Sequence, residues 1–243
     1  PAAAPPATET GPRGGAGEGT AGEGEPPTIT PPRAGSTNGH VDSDQRAKDL
    51  LTAAGWTNSE AAQFVHVDLA GDTTTDGFNA VGLSAAVRAG RAVLVDLAGL
   101  AELPEQARYK EIRLKFFELA SYLGGAFADD FGGGINAMPR YLTELLTNAF
   151  VHGHRLELTQ PILLTVDPST RTVFVFDAAL PEPTEPAAQQ KYQAALALAK
   201  TAGLAGAGDG TKVPKEFSSW SYDRAEIRDH DSGRVLGSRA SFS

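Results

Sequence analysis

The first 40 residues of this chain are unsuited to a folded core, so any folded body must be built from later residues. They hold eight Pro and nine Gly, no aromatic residue and a single branched aliphatic side chain, Ile29. Such a segment cannot bury enough apolar surface to offset the conformational entropy that folding would remove. We therefore predict a disordered tail over residues 1–42. A protein partner, or self-association with a neighbouring copy, would be needed to order it.

Two short segments of nearly the same sequence come after the tail. Residues 65–71 read VHVDLAG and residues 93–99 read VLVDLAG. Both are rich in β-branched residues, and a helix-like segment that ends at Gly90 separates them, so we predict a strand, a helix and a second strand. Asp68 and Asp96 then lie where each strand ends, and we predict that both carboxylates form turns.

The remaining elements complete an α+β body in which helices pack on a small sheet. Apolar side chains recur on one face of residues 105–123, which predicts an amphipathic helix that Gly124 and Gly125 end. Residues 162–166 and 172–177 predict a β-hairpin, and a second helix is expected over 187–202. We place the body at 43–217 and interpret the weakly periodic residues 218–243 as a polar C-terminal extension.

Composition excludes several classes of function. The net charge of −9 argues against broad electrostatic binding to nucleic acid or to an anionic membrane. The absence of cysteine excludes disulfides and thiolate chemistry. No apolar stretch approaches the roughly 18–20 residues that span a bilayer, and the first residues lack the features of a signal peptide. We therefore expect a cytoplasmic protein with no membrane partner.

One predicted helix, residues 139–152, carries polar residues at four-residue steps. Glu144, Asn148 and His152 fall on one side of it, within an otherwise apolar and small-residue run. An amide oxygen beside a carboxylate suits a hydrated Mg²⁺ whose shell is completed by phosphate oxygens. The same spacing is also typical of the solvated face of an ordinary helix, and spacing alone leaves both interpretations open.

The segment ELLTNAFVHG resembles the N-box of the histidine-kinase-type (GHKL) ATP-binding fold, especially the short anti-sigma-factor serine kinases. The matching positions are Glu144, Asn148, Ala149, His152 and Gly153. The resemblance implies that ATP and Mg²⁺ are the cofactors. It implies that Asn148 binds the metal and the nucleotide phosphates, and that Glu144 helps to activate the attacking group.

The resemblance extends to the hairpin and beyond it. Asp177 ends the hairpin where the family has an adenine-binding aspartate. A Gly-x-Gly-Thr element near the C-terminal end of the family's domain is matched by Gly208, Gly210 and Thr211. No glycine comes directly after Asp177, however, and PEPTEP stands where the family has a glycine-rich lid. The resemblance therefore implies a degenerate regulatory domain, with phosphoryl transfer to a protein serine as its chemistry if it is active.

A second interpretation comes from the organisation of the chain alone. A long Pro/Gly-rich tail, an α-rich body and a polar extension also describe a self-assembling protein, such as a viral coat or nucleocapsid subunit within a virion. Such a subunit can bind RNA through a few arginines despite an acidic balance. The basic residues at 108, 110, 113 and 115 are either an exposed helix face or a strip that contacts phosphates.

Overall fold

The structure, a computed structural model, describes residues 37–57, 64–70, 80–131, 137–167, 169–204 and 222–242. The predicted tail lies outside these residues as far as position 36. Its predicted end at residue 42 is wrong, because a helix already begins at Thr37.

The described residues contain five α-helices, six strands and, just before the third helix, a 3₁₀ turn at Ala98–Glu102. The helices are α1 (Thr37–Ala53), α2 (Ala80–Arg88), α3 (Glu105–Phe131), α4 (Ala137–Asn148) and α5 (Pro186–Thr201). The strands are β1 (Phe64–Asp68), β2 (Ala92–Asp96), β3 (Ile162–Asp167), β4 (Thr172–Asp177), β5 (Tyr222–Arg228) and β6 (Val235–Phe242).

The strands form one mixed sheet in the order β1-β2-β3-β4-β6-β5. β1 and β2 are parallel and every other neighbouring pair is antiparallel. The predicted α+β class, the strand–helix–strand unit and the hairpin are thereby confirmed. At the hairpin turn, Asp167 accepts hydrogen bonds from the Ser169 hydroxyl (2.6 Å) and the Thr170 hydroxyl (2.8 Å), as its turn chemistry predicts.

Asp68 and Asp96 make the same kind of hydrogen bond at the ends of their strands. The carboxylates of Asp68 and Asp96 each accept a hydrogen bond from the backbone N–H two residues on, at 2.8 Å in both cases. The predicted role of both residues as turn-formers is confirmed. Gly99 is needed in the second copy because a Cβ there would overlap Ala70 of the first.

We expect the turn formed by Asp68 to make a modest contribution to stability. Asp68→Ala removes the side-chain acceptor at the end of β1 and should lower the free energy of unfolding by about 1 kcal/mol, whereas Asp68→Asn keeps an acceptor oxygen and should cost less. Urea denaturation of the two variants beside the native chain measures the difference. Equal losses in the two variants would contradict this role.

Apolar side chains cover both faces of the sheet. One face packs against helices α2 to α5 through residues such as Val95, Leu164 and Val175. On the opposite face, Leu51 of α1 packs on Leu94 and Phe176. Alternation along β3 and β4 sends successive side chains to the two faces, so these central strands are buried on both sides.

The long helix α3 confirms the predicted apolar face and corrects its predicted end. The apolar residues that recur on this face are buried: Tyr109, Ile112, Phe116, Leu119 and Leu123. The helix does not stop at Gly124 and Gly125, but continues to Phe131. Gly124 instead lets α4 approach closely, because a Cβ at this position would overlap the ring of Pro139.

The predicted boundary of the body at residue 217 is also wrong. Residues of the predicted C-terminal extension form β5 and β6, and β6 pairs with β4 inside the sheet. Ala240 contributes to the core on the helix-covered face and Ile227 to the core on the other face. Residues 222–242 are therefore an integral part of the fold.

Candidate functional site

The helix with the N-box-like sequence ends in a wide turn against the sheet. α4 stops at Asn148, and Ala149–Gly153 continue as one π-helical turn in which His154 N donates to Ala149 O at 2.8 Å. A π turn holds one more residue than an α turn, and such turns are frequent at functional sites. The predicted helix over 139–152 is therefore regular only to Asn148, and the four-residue spacing no longer sets where His152 points.

The wide turn brings Gly153 directly against Asp177 at the end of β4. A Cβ on Gly153 would overlap the Asp177 side chain, so only glycine fits without movement. Just beyond Asp177, Leu180 N donates a hydrogen bond to Gly153 O at 2.7 Å. This hydrogen bond links the wide turn, residues 149–153, to the chain just after β4.

The Asp177 carboxylate is enclosed and already bonded within the chain. Its side chain accepts hydrogen bonds from Ser238 Oγ (2.7 Å) and from Ala179 N (2.8 Å), and it lies 3.5 Å from the Arg224 guanidinium. Asp177 is only 3% exposed. Burial raises the pKa of its carboxyl, and the Ser238 hydrogen bond, the Ala179 hydrogen bond and Arg224 oppose that rise.

His152 lies on the outer side of the same turn, where nearby charged side chains act on it. Partial loss of hydration lowers the pKa of His152, and the positive charges of Arg155 and Arg224 lower it further. Arg155 adopts a φ of 53°, donates from Nε to Leu180 O at 3.2 Å and lies 3.5 Å from Glu182. Arg155 therefore holds residues 180–182, which include the start of PEPTEP, against the wide turn.

The imidazole of His154 is fully buried without a hydrogen-bond partner on either ring nitrogen. Burial lowers its pKa to about 3, so the ring is neutral at physiological pH. His152, by contrast, lies on the exposed side of the turn. Among the described residues no group of three or more His, Cys, Asp or Glu side chains could hold a metal ion.

A separate cleft of about 500 Å³ lies between α3, α4 and the chain just after α5. It is lined by Lys110, Arg113, Leu114, Phe117, Thr143, Glu144, Thr147, Gly203 and Leu204. Two of its apolar side chains are exposed, Leu114 by 49% and Phe117 by 55%. The cleft thus combines an apolar surface, two cations and one carboxylate.

The four basic residues of α3 have different roles. Arg108 donates hydrogen bonds to the carbonyls of Leu100, Ala101 and Leu103, and so closes the preceding 3₁₀ turn. Lys115 is almost buried and lies 3.7 Å from Glu111 and 3.6 Å from Glu118. Only Lys110 and Arg113 line the cleft, so the four residues do not form one continuous strip.

The residues that the resemblance groups together have different surroundings, although Glu144 and Asn148 lie one turn apart on α4. Glu144 is half-buried and lines the cleft, whereas Asn148 is half-buried at the end of α4 and is not among the residues lining that cleft. Asp177 lies beyond the wide turn and is enclosed. Gly208, Gly210 and Thr211 lie outside the described residues.

Sequence reasoning missed the partners that enclose Asp177. Ser238 and Arg224 come from the segment predicted as an extension, and no local motif marks either of them. The exposed pair Leu114 and Phe117 could have been found, because both lie off the apolar face on which the prediction of α3 rests.

Comparison with known proteins adds no assignment. No family model, curated protein or solved structure matches the chain. Within the helices that the structure describes, none has the length and apolar character needed to cross a bilayer.

Proposed function

We propose that this chain is a regulatory domain that resembles the kinase-type ATP-binding domains, acts by binding a protein, and has its nucleotide-base position closed by its own residues. The observation that carries the proposal is the enclosure of Asp177. Its resemblance-implied role requires a carboxylate edge that a base can reach, and here the two oxygens serve Ser238, Ala179 and Arg224 instead.

The chain segment after β4 supports the same conclusion. Where the resembled domains have glycines, residues 178–182 lie against the wide turn through the Leu180–Gly153 hydrogen bond and the contacts of Arg155. Glu182 puts a carboxylate beside Arg155, at the kind of cationic group that would otherwise attract a phosphate. Opening this position for a nucleotide would break several of these contacts at once.

The position of Glu144 favours protein binding over phosphoryl transfer. Glu144 lines a cleft that also holds two exposed apolar side chains, Leu114 and Phe117. Apolar and aromatic groups that stay exposed on a folded domain mark surfaces that other proteins cover. We therefore assign the helix α4 to a binding surface and give Glu144 no catalytic role.

Titration with a fluorescent ATP analogue and Mg²⁺ tests the proposal. We expect no saturable binding up to about 1 mM nucleotide, because the base position is occupied by the chain. The native protein and Asn148→Ala should give superimposable curves. Saturable binding by the native protein that unlabelled ATP displaces and Asn148→Ala abolishes would overturn the closed site and restore the ATP and Mg²⁺ assignment.

The exposed pair on α3 also favours a second candidate function, self-assembly into particles or filaments. Leu114 and Phe117 could equally be covered by another copy of the chain. Negative-stain microscopy and light scattering of the purified protein distinguish the two. Regular particles or filaments would support the assembly protein, and absorbance of copurified nucleic acid would extend it to a coat or nucleocapsid subunit.

A further inference from the structure

We propose that the cleft between α3 and α4 binds an acidic segment of a partner protein that carries at least one large apolar side chain. The inference rests on the proposed protein-binding function and names the chemistry of the partner. It depends on the lining of the cleft, its charges and the exposure of its apolar residues.

The apolar part of the cleft has the properties of an anchoring position. Leu114 and Phe117 are three residues apart on α3, so their side chains are neighbours on one face of the helix. They are the large hydrophobic residues that remain exposed among the described residues. Aromatic and aliphatic side chains of this kind, once covered, supply much of the binding energy of protein interfaces.

The positive charges on the α3 wall favour a negatively charged ligand. Neither Lys110 nor Arg113 makes an ion pair or a hydrogen bond with any residue in the described part of the chain. Lys115, by contrast, is paired with Glu111 and Glu118. Two cations beside an apolar surface, on a chain whose net charge is −9, make this cleft locally complementary to carboxylates.

The opposite walls of the cleft define how a segment would lie in it. Glu144 puts negative charge on the α4 wall and Thr143 and Thr147 add hydroxyls there, so acidic groups of the ligand belong on the α3 side. Gly203, with a φ of 74°, lies just beyond the end of α5, and a Cβ there would come within 3.1 Å of the Arg113 guanidinium. A volume of about 500 Å³ admits side chains of a peptide while its backbone stays at the surface.

Selection from a phage-displayed library of random peptides about 12 residues long tests the inference without assuming a sequence. The native chain is the target, and phage that bind Phe117→Ser are removed first. We expect enrichment of peptides that combine Asp or Glu with a large apolar residue. Failure to enrich any peptide, or enrichment of basic peptides, would overturn the proposal.

Fluorescence anisotropy of an enriched peptide then locates the site. We expect Lys110→Glu with Arg113→Glu to weaken binding at least about ten-fold, since two attractive charges become repulsive. The matched control, Arg91→Glu with Lys191→Glu, makes the same charge change at two exposed positions outside the cleft and should leave the Kd unchanged. Lys110→Arg with Arg113→Lys keeps the charge and should keep the binding. Equal loss in the charge-reversed pair and its control would overturn the assignment.

Two further outcomes distinguish peptide binding in the cleft from self-association and from nucleotide binding. Self-association of the native chain that Phe117→Ser abolishes would show that a second copy covers the cleft and would overturn the peptide proposal. Saturable ATP binding together with selective peptide binding would overturn only the closed nucleotide position. The two sites are tested by different variants: Asn148→Ala for the nucleotide, and the charge reversals at Lys110 and Arg113 for the peptide.

Discussion

Lowering the pH from 7 to 4 should reduce the free energy of unfolding by roughly 3 kcal/mol through His154 alone. The imidazole is fully buried and has no hydrogen-bond partner, and its pKa in the folded protein is about 3. In the unfolded chain a histidine takes up its proton near its ordinary pKa of about 6.5. Stability from this residue is therefore complete above pH 6.5 and is lost progressively as the pH falls toward 3.

The other titrating groups at the site change the stability with pH in different directions. His152 also has a lowered pKa, so it acts in the same direction as His154. Asp177 has a raised pKa, which means that the folded state binds its proton more tightly than the unfolded state does. Its contribution therefore favours folding at low pH and decreases as the pH rises through its folded pKa, opposite to the effect of the two histidines.

Comparison of two variants isolates the contribution of His154 to the pH dependence of stability. In urea denaturation between pH 5 and pH 7, His154→Leu should show a shallower dependence of stability on pH than the native chain, because the variant has no imidazole to protonate on unfolding. His230→Gln removes an exposed histidine and should keep the native slope. An unchanged slope in His154→Leu would contradict the enclosed, neutral imidazole.

Gly153→Ala should destabilise the protein by about 1–3 kcal/mol, which is the usual cost of forcing extra volume into a packed position. The new methyl group would overlap Asp177, whose own position is fixed by Ser238 and Ala179. Relief requires either the wide turn or the end of β4 to move. Thermal and urea denaturation measure the loss.

Gly125→Ala is the matched control for this substitution. Gly125 is exposed within α3, and a Cβ there would meet nothing within 4 Å. Alanine has the higher helix propensity, so this variant should be more stable than the native chain by about 0.5–1 kcal/mol. If both variants change stability by the same amount, the close approach of Gly153 to Asp177 is not the cause.

The elements predicted correctly are those that local chemistry determines. Short apolar runs on both sides of DPST specify the hairpin, and Asp167 accepts hydrogen bonds from the hydroxyls that the turn sequence supplies. The apolar face of α3 follows from helical spacing. Asp68 and Asp96 form equivalent turns because each ends a strand with the same four residues.

The errors occur where a distant segment decides the outcome. Gly124 and Gly125 resemble a helix end, but the close approach of Pro139 makes Gly124 useful inside a continuous helix. β5 and β6 carry many polar side chains and show little periodicity. β6 takes its place in the sheet by pairing with β4, whose residues lie 61 to 69 positions earlier in the chain, and among the described strands β5 pairs only with β6.

The candidate site was predictable only in part for the same reason. The placement of Glu144 and Asn148 on α4 follows from the sequence. The enclosure of Asp177 does not, because it depends on Ser238 and Arg224 from the last two strands and on a wide turn that no propensity indicates. Similarly, the cleft beside Glu144 needs the crossing of α3 and α4, which local sequence does not specify.

The π turn at Ala149–Gly153 makes the length of this segment a structural parameter in its own right. Deleting a single residue there would let the helix continue in ordinary α geometry, rotating His152 back toward the side of Glu144 and drawing Gly153 away from β4. One codon therefore separates two arrangements of the same polar residues: one that seals the carboxylate of Asp177 and one that would uncover it.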